Sequence, residues 1–254
     1  MFDNPWVDVP GPQRLGSGLE SEARDAFALG ALGGRSVSER GAGIFDVDGT
    51  LIGCSSERTF FVRLVRAGVV KPRDAARWVA RAALEAGSGV DAAVRGNRAY
   101  LAGKSVQRIT EMAAQHAADH LRAFIPAAAM TAISKHRDAG EPVFLLSGSL
   151  DVLVAPLAQL VNADGYCAST LSAEDGILTG RLDGTHPVGP GKVEVAKRLA
   201  ETHGFSLDRS TAYGDRISDV ALMERVRDAV AVNPKRPLAR YARRRGWEAV
   251  DWHR

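Results

Sequence analysis

Short apolar runs recur along this chain, and each stops at a polar or turn-forming residue. Gly43–Val47 runs into a pair of aspartates. Pro142–Leu146 ends at Ser147, Ser210–Tyr213 at Gly214 and Asp215, and Ala229–Val232 at Asn233 and Pro234; Trp247–Val250 reads as a fifth run of the same kind. Apolar runs this short, bounded by Gly, Pro or a carboxylate, are the pattern of strands buried on both faces of a parallel sheet. Helix-spaced segments lie between them. Lys192–His203 sets Val193, Val195, Ala196, Leu199 and Ala200 at helix-compatible positions, and Ile217–Val226 follows the third strand. The alternation predicts an α/β fold, a doubly wound parallel sheet with a Rossmann-like core. Ligands of such sheets bind beyond the carboxyl ends of the strands, where the polar residues that close these runs sit.

The stretch between the first two strands is too long for one crossover helix. Glu57–Ala67, Pro72–Ala86, Asp91–Leu101 and Ser105–Ala123 all read as helices there. The expected organisation is therefore a helical cap over residues 55–124, inserted into a catalytic core made of residues 43–54 and 125–254. Residues 1–42 carry Pro5, Pro10, Pro12 and many Gly and Ser, with one helix-like stretch near Leu19–Leu32. They are expected to form a flexible N-terminal extension. Tyr166–Pro187 reads as a hairpin turning at Asp175 and Gly176.

The chemistry concentrates in Phe45–Leu51, where Asp46 and Asp48 stand two apart at the end of a strand and Gly49 follows at once. Residues two apart in a strand point the same way, and the turn lets both carboxylates converge. One carboxylate can attack phosphorus to give an aspartyl-phosphate while the other moves a proton to or from the leaving oxygen. A bare pair of aspartates is weak evidence. The longer run Asp46-Val47-Asp48-Gly49-Thr50-Leu51 after an apolar strand is far narrower.

With these residues the chain resembles the haloacid dehalogenase-like hydrolase superfamily, and within it the phosphoserine phosphatase-like branch (subfamily IB). The resemblance spans roughly residues 43–252. It implies that Asp46 is the nucleophile and Asp48 the general acid/base. Ser147, followed by Gly148, matches the second motif, which binds the transferring phosphoryl group, and Lys192 matches the third-motif lysine. Asp215 and Asp219 match the fourth-motif acids. The resemblance implies a Mg2+ held by Asp46, Asp215 and the backbone carbonyl of Asp48, with Asp219 one shell further out. The physics fits: a phosphoryl group in transfer spreads charge over three oxygens, so catalysis is mostly positioning and charge neutralisation. Magnesium takes about six oxygens, a few of them carboxylates. Phosphoserine phosphatases carry an acidic residue nine positions after the nucleophile, and here that position is Ser55. Glu57, Arg58 and Phe61 open the cap just after the catalytic loop and are the candidates for substrate recognition.

The expected function is magnesium-dependent hydrolysis of a small phosphorylated metabolite. A phosphotransferase or mutase using the same intermediate is an alternative, as is a non-catalytic binding module on this fold. The rest of the sequence adds exclusions. Lys and Arg total 33 against 30 Asp and Glu, a net charge of +3 that points to neither nucleic acid nor membrane as a partner. Cys54 and Cys167 are expected to be reduced thiols, and His116, His120 and His136 surface residues rather than zinc ligands. The basic run Arg240–Arg245 reads as a solvated helix face. The N-terminus lacks a basic segment followed by an apolar one, so the expectation is a cytoplasmic protein. Oligomeric state is left open.

Overall fold

The computed structural model describes residues 13–14, 40–85, 97–184 and 186–252. Its centre is a sheet of strands β1 (Gln13–Arg14), β2 (Gly43–Phe45), β3 (Val143–Leu150), β4 (Gly165–Glu174), β6 (Thr211–Gly214), β7 (Asp228–Val232) and β8 (Glu248–Val250), in the order β1-β4-β3-β2-β6-β7-β8, all parallel. Strand β5 (Ile177–Asp183) pairs antiparallel with β4. The helices are α1 (Ser56–Arg66), α2 (Pro72–Glu85), α3 (Val106–Asp119), α4 (Ala127–Asp138), α5 (Asp151–Leu160), α6 (Pro190–His203), α7 (Val220–Met223) and α8 (Arg236–Arg245). The five strand runs read from the sequence are all strands, and the sheet is doubly wound around β2. Most of the predicted N-terminal extension, with its helix-like stretch at Leu19–Leu32, lies outside the described residues. Gln13 and Arg14 pair with Gly165 and Tyr166 at the sheet edge.

Strand periodicity explains the core. Phe45 and Leu145 point to one face, where they meet Phe60, Leu64, Leu153 and Leu157. Ile44, Phe144 and Leu146 point to the other, against Val195, Ala196, Leu199 and Leu238. Successive residues thus feed opposite clusters, and both faces are covered, as a parallel sheet requires. On chemistry and layering alike, the fold is the predicted Rossmann-like α/β class.

Four local expectations need correction. In the predicted helix Asp91–Leu101, residues 91–96 lie outside the described residues and 97–101 are not α-helical: Asn97 bridges to Arg181, and Ala99–Leu101 is a single 3-10 turn. The Asn97 side chain accepts from the Ala99 amide and donates to the Trp78 carbonyl, offering the backbone an alternative to helix. Ser105–Ala123 breaks at His120 into α3 and the 3-10 turn Leu121–Phe124. The segment Ile217–Val226 is a 3-10 turn followed by the four-residue α7. Strand β3 continues past Ser147 to Leu150, with an irregularity discussed below.

The hairpin β4–β5 turns at Asp175 and Gly176, both at positive φ (49° and 77°), as a two-residue hairpin loop demands. Its far end is stitched to the chain before α3. Arg98 and Gly103 amides donate to the Gly180 and Leu178 carbonyls, and the Leu178 amide donates to Lys104. The hairpin therefore supports the helical layer above the sheet. No helix among the described residues is long and apolar enough to cross a membrane.

Candidate active site

The carboxyl ends of β2, β3 and β6 converge at the point where the chain's winding reverses, and the motif residues meet there. Asp46 leaves β2, its amide bonded to the Tyr213 carbonyl of β6. Lys192, on the first turn of α6 and almost fully buried, donates to Asp46 Oδ1 at 2.6 Å and to Asp219 Oδ1 at 2.7 Å. Burial alone would strip the lysine of its proton, but the carboxylates of Asp219 and Asp46 outweigh it and hold its pKa above the usual range. Asp46 Oδ2 makes no hydrogen bond among the described residues.

Oxygens of Asp46, Asp215 and Asp219 lie within 4.8 Å of one another. The two fourth-motif acids differ sharply. Asp219 is satisfied by the protein, Oδ1 by Lys192 and Oδ2 by the Arg216 amide at 3.0 Å. Asp215 is fully buried, yet neither of its oxygens has a hydrogen-bond donor; the exposed Arg216 guanidinium comes no nearer than 3.6 Å. Burial pushes the Asp215 carboxyl up to about 6 and that of Asp46 to about 7, the latter against the pull of Lys192. A buried carboxylate with no donor is costly unless a cation meets it. The donor set is all oxygen, as a hard dication needs. The Asp48 carbonyl accepts no backbone hydrogen bond among the described residues. The residues therefore fit a hard dication such as magnesium; Asp215 has both oxygens unengaged, and Asp219 has both engaged.

Gly49 is what allows the approach. Its φ is +91°, and a Cβ there would stand 2.4 Å from Asp215 Oδ2. The Asp48 side chain turns toward the start of α1. Its Oδ2 accepts from Ser149 Oγ at 2.9 Å and Ser55 Oγ at 3.3 Å, and its Oδ1 from the Ser56 amide at 3.1 Å. Ser147 is buried at the end of β3's regular portion, and its Oγ accepts from the Ser149 amide at 3.1 Å.

The three cap candidates separate. Glu57 sits beside the site: burial raises its pKa, Arg98 draws it back, and the Asp48 charge adds to the rise. Arg98 Nε and a terminal nitrogen donate to the same Glu57 oxygen at 3.0 and 2.8 Å. Phe61 is packed edge-on to Tyr100 (ring centroids 5.1 Å apart) and beside Trp78 (5.9 Å), within the cap's aromatic cluster. Arg58 is exposed on α1 and lines a groove of about 740 Å³ with Arg63, His120 and Phe124, a groove that reaches Cys54 and Ser55 beside Asp48. Residues that the sequence reading missed are Arg98, hidden inside a predicted helix, and the serines 55, 56 and 149 that hold Asp48. Two histidines expected at the surface are buried. His116 Nε2 meets Thr59 Oγ1 at 3.0 Å, and burial pulls its pKa to about 4. His136 bridges Glu141 and Tyr213 at 2.7 and 2.9 Å. Both serve packing and neither joins a metal-ligating cluster among the described residues.

Comparison with known proteins gives the family. The sequence profile of the haloacid dehalogenase-like hydrolases matches residues 44–224. A protein of Streptomyces azureus named "Inhibition of morphological differentiation protein" is 34% identical over 221 residues, 85% of this chain and 79% of that protein. A phosphoserine phosphatase of Mycobacterium tuberculosis is 32% identical over 217 residues, 83% of this chain and 70% of that one. A crystal structure of a Bordetella pertussis protein of unknown function superposes with a TM-score of 0.70 at 27% identity, covering 84% of this chain and 99% of its own. The chain belongs to the haloacid dehalogenase-like hydrolase family. Within it, the chain is a phosphatase, a phosphoric monoester hydrolase.

Proposed function

We propose that this phosphatase is magnesium-dependent and hydrolyses a small phosphorylated metabolite through an aspartyl-phosphate on Asp46. The observation that carries the reading is the buried cluster at the strand ends: Asp46 tethered by Lys192 through one oxygen, with Asp215 fully buried and without a donor beside it. Asp46, Asp215 and the Asp48 carbonyl would hold the ion, which when bound neutralises charge on the phosphoryl oxygens.

In the first half-reaction an Asp46 oxygen attacks phosphorus. The bond from phosphorus to the leaving oxygen breaks, and that oxygen takes the proton of the Asp48 carboxyl. In the second, the Asp48 carboxylate removes a proton from water, the water oxygen attacks phosphorus, and the bond to Asp46 breaks. Phosphate leaves with both aspartates restored. Ser147 Oγ already accepts from the Ser149 amide, so its own hydrogen is available for a phosphoryl oxygen, with Gly148 beside it in the same loop. Lys192 neutralises Asp46 and the incoming phosphate in turn.

Glu57 and Arg98 form the recognition element for the leaving group. They are buried together, and Glu57 is close enough to Asp48 to feel its charge. A substrate carrying an amine, a carboxylate or both would exchange this ion pair for its own contacts. Two relatives are named phosphoserine phosphatase and histidinol-phosphatase, the latter from Neisseria meningitidis. Both phosphoesters belong in the first substrate panel. Arg58 and Phe61 drop to supporting roles.

The test of the mechanism is Asp46→Asn, which keeps shape and removes the anion. Phosphate release should fall by about three orders of magnitude or more. Retention of a tenth of the rate would sink the assignment. Trapping of a phosphorylated Asp46 by rapid acid quench distinguishes this route from direct attack by water.

A further inference from the structure

We infer that Ser169 and His186 are positioning residues for phosphoryl binding, acting through the peptide between Gly148 and Ser149 to aim the Ser147 hydroxyl. This rests on the proposal that Ser147 contacts the phosphoryl group.

The starting point is the irregularity in β3. Leu146 pairs with Cys167 and Leu150 with Ser169, so a four-residue step on β3 faces a two-residue step on β4. The excess lies in Ser147–Ser149, which bulges out of the ladder. A bulge removes backbone partners from the residues in it, and a buried carbonyl must then be satisfied some other way. Ser169, 1% exposed on β4, supplies the substitute: its Oγ donates to the Gly148 carbonyl at 2.8 Å. His186 Nδ1 lies 2.5 Å from the same Oγ. A hydroxyl has one hydrogen, and Ser169 gives it to Gly148, so the ring must donate Nδ1–H to Ser169.

The peptide that follows is held from both sides. Its carbonyl oxygen, on Gly148, accepts from Ser169; its N–H, on Ser149, donates to Ser147 Oγ at 3.1 Å. The chain of bonds therefore runs from His186 through Ser169 and the peptide to Ser147, whose hydrogen is the last in line. Occupying an Oγ lone pair fixes the direction of that hydrogen, and bonds in such a chain polarise one another. The packing limits escape. A Cβ on Gly148 would stand 2.6 Å from Val188, and one on Gly191 would stand 2.6 Å from the His186 carbonyl. The loop that carries His186 thus presses on the phosphate loop at one end and leads into the helix start bearing Lys192 at the other.

The experiment measures phosphate-site affinity separately from turnover. Inhibition by orthovanadate and kcat/KM on p-nitrophenyl phosphate are followed in His186→Ala, His186→Asn, His186→Gln, Ser169→Ala and Ser147→Ala, each checked by thermal melting. The Asn amide can replace Nδ1–H, while the longer Gln places its amide where Nε2 was. Ser169→Ala and His186→Ala should weaken vanadate binding by about tenfold, the order expected for one hydrogen bond supporting a charged ligand. His186→Asn should recover most of the loss and His186→Gln little. In the Ser147→Ala background, His186→Ala should add almost nothing, because the relay ends on the hydroxyl already removed. Additive losses, equal behaviour of Asn and Gln, or unchanged vanadate affinity in folded Ser169→Ala would overturn the inference. The control for the mechanism is Asp46→Asn: if that variant is inactive while the relay variants behave as wild type, the relay fails and the mechanism stands.

Discussion

The two ends of the site are built differently. At the phosphate end, Asp46, Ser147, Lys192, Asp215 and Asp219 come from the ends of adjacent strands and the first turns after them. Lys192 ties Asp46 and Asp219 together by short bonds, Ser147 is held by the Ser149 amide, and Asp215 is fixed by burial alone, inside a sheet covered on both faces. At the proposed leaving-group end, Glu57 stands on α1, and its partner Arg98 arrives 41 residues later on a segment held to the β4–β5 hairpin. The first end is part of the scaffold. The second is carried on α1 and a segment held to the hairpin, though α1 also packs on the core and holds Asp48 at its start. If the proposed roles hold, selectivity and catalysis lie on different elements, which substitutions at each end can test.

The largest effects are expected at the phosphate end and the metal proposed for it. Chelation should abolish turnover, magnesium should restore it, and calcium should restore little, because its looser coordination spoils the in-line geometry. Stability gives an independent reading. Burial raises Asp46 to about 7 and Asp215 to about 6 from a usual 3.8. Between those limits the folded, metal-free protein binds more protons than the unfolded chain, so its stability falls as pH rises through that window. A dication takes the place of those protons. The rise in Tm on adding magnesium should therefore be larger at about pH 8 than at about pH 5. An equal rise at both would detach the metal from these carboxylates.

Asp48 lies between the two ends, its oxygens held by Ser149 from the core and by Ser55 and Ser56 from the start of α1. Asp48→Asn removes the transferable proton but keeps a side chain of the same shape. Alkyl phosphates should lose about 100-fold or more, and p-nitrophenyl phosphate much less, since a nitrophenolate leaves with little protonation. Equal losses on both would assign Asp48 to holding the loop instead.

The contrast between the two ends also governs what could be read from the sequence. The strand runs, the hairpin turn and all the core acids were legible, because each motif residue sits within a few positions of the strand whose end places it. The structure sets Asp215 and Asp219 apart, one buried without a donor and the other bonded through both oxygens, a difference on which the proposed division of their roles rests. Arg98 was not legible. It sits where an Ala- and Arg-rich stretch scans as helix, and only the hairpin's hydrogen bonds to residues 98–104 pull that segment out of helical form. Ser169 and His186 were hidden for the same reason: the β3 bulge that gives them a role is visible only once β4 is paired beside it. His116 and His136 were read as surface residues because single polar positions carry no periodic signal of burial.

The smallest effects should come from α1, whose two sides offer an internal control. Glu57 and Arg58 are adjacent in sequence but point apart, one toward Asp48 and Arg98, the other into the groove with Arg63 and His120. Glu57→Gln keeps hydrogen-bonding capacity and removes the charge that pairs with Arg98. On the physiological substrate kcat/KM should fall by about tenfold to 100-fold, the range for a lost charge-assisted contact. On p-nitrophenyl phosphate, which offers no charged leaving group, the change should be within about twofold. Arg58→Ala removes an exposed side chain that makes no hydrogen bond to Asp48 or Glu57, and both substrates should stay within about twofold of wild type. A selective loss in Arg58→Ala would mean that the substrate extends around α1 into the groove. A parallel loss on both substrates in Glu57→Gln would mean that the ion pair holds the cap rather than reads the leaving group. In either case the clean division between the scaffold's chemistry and the cap's selectivity would have to be redrawn at α1.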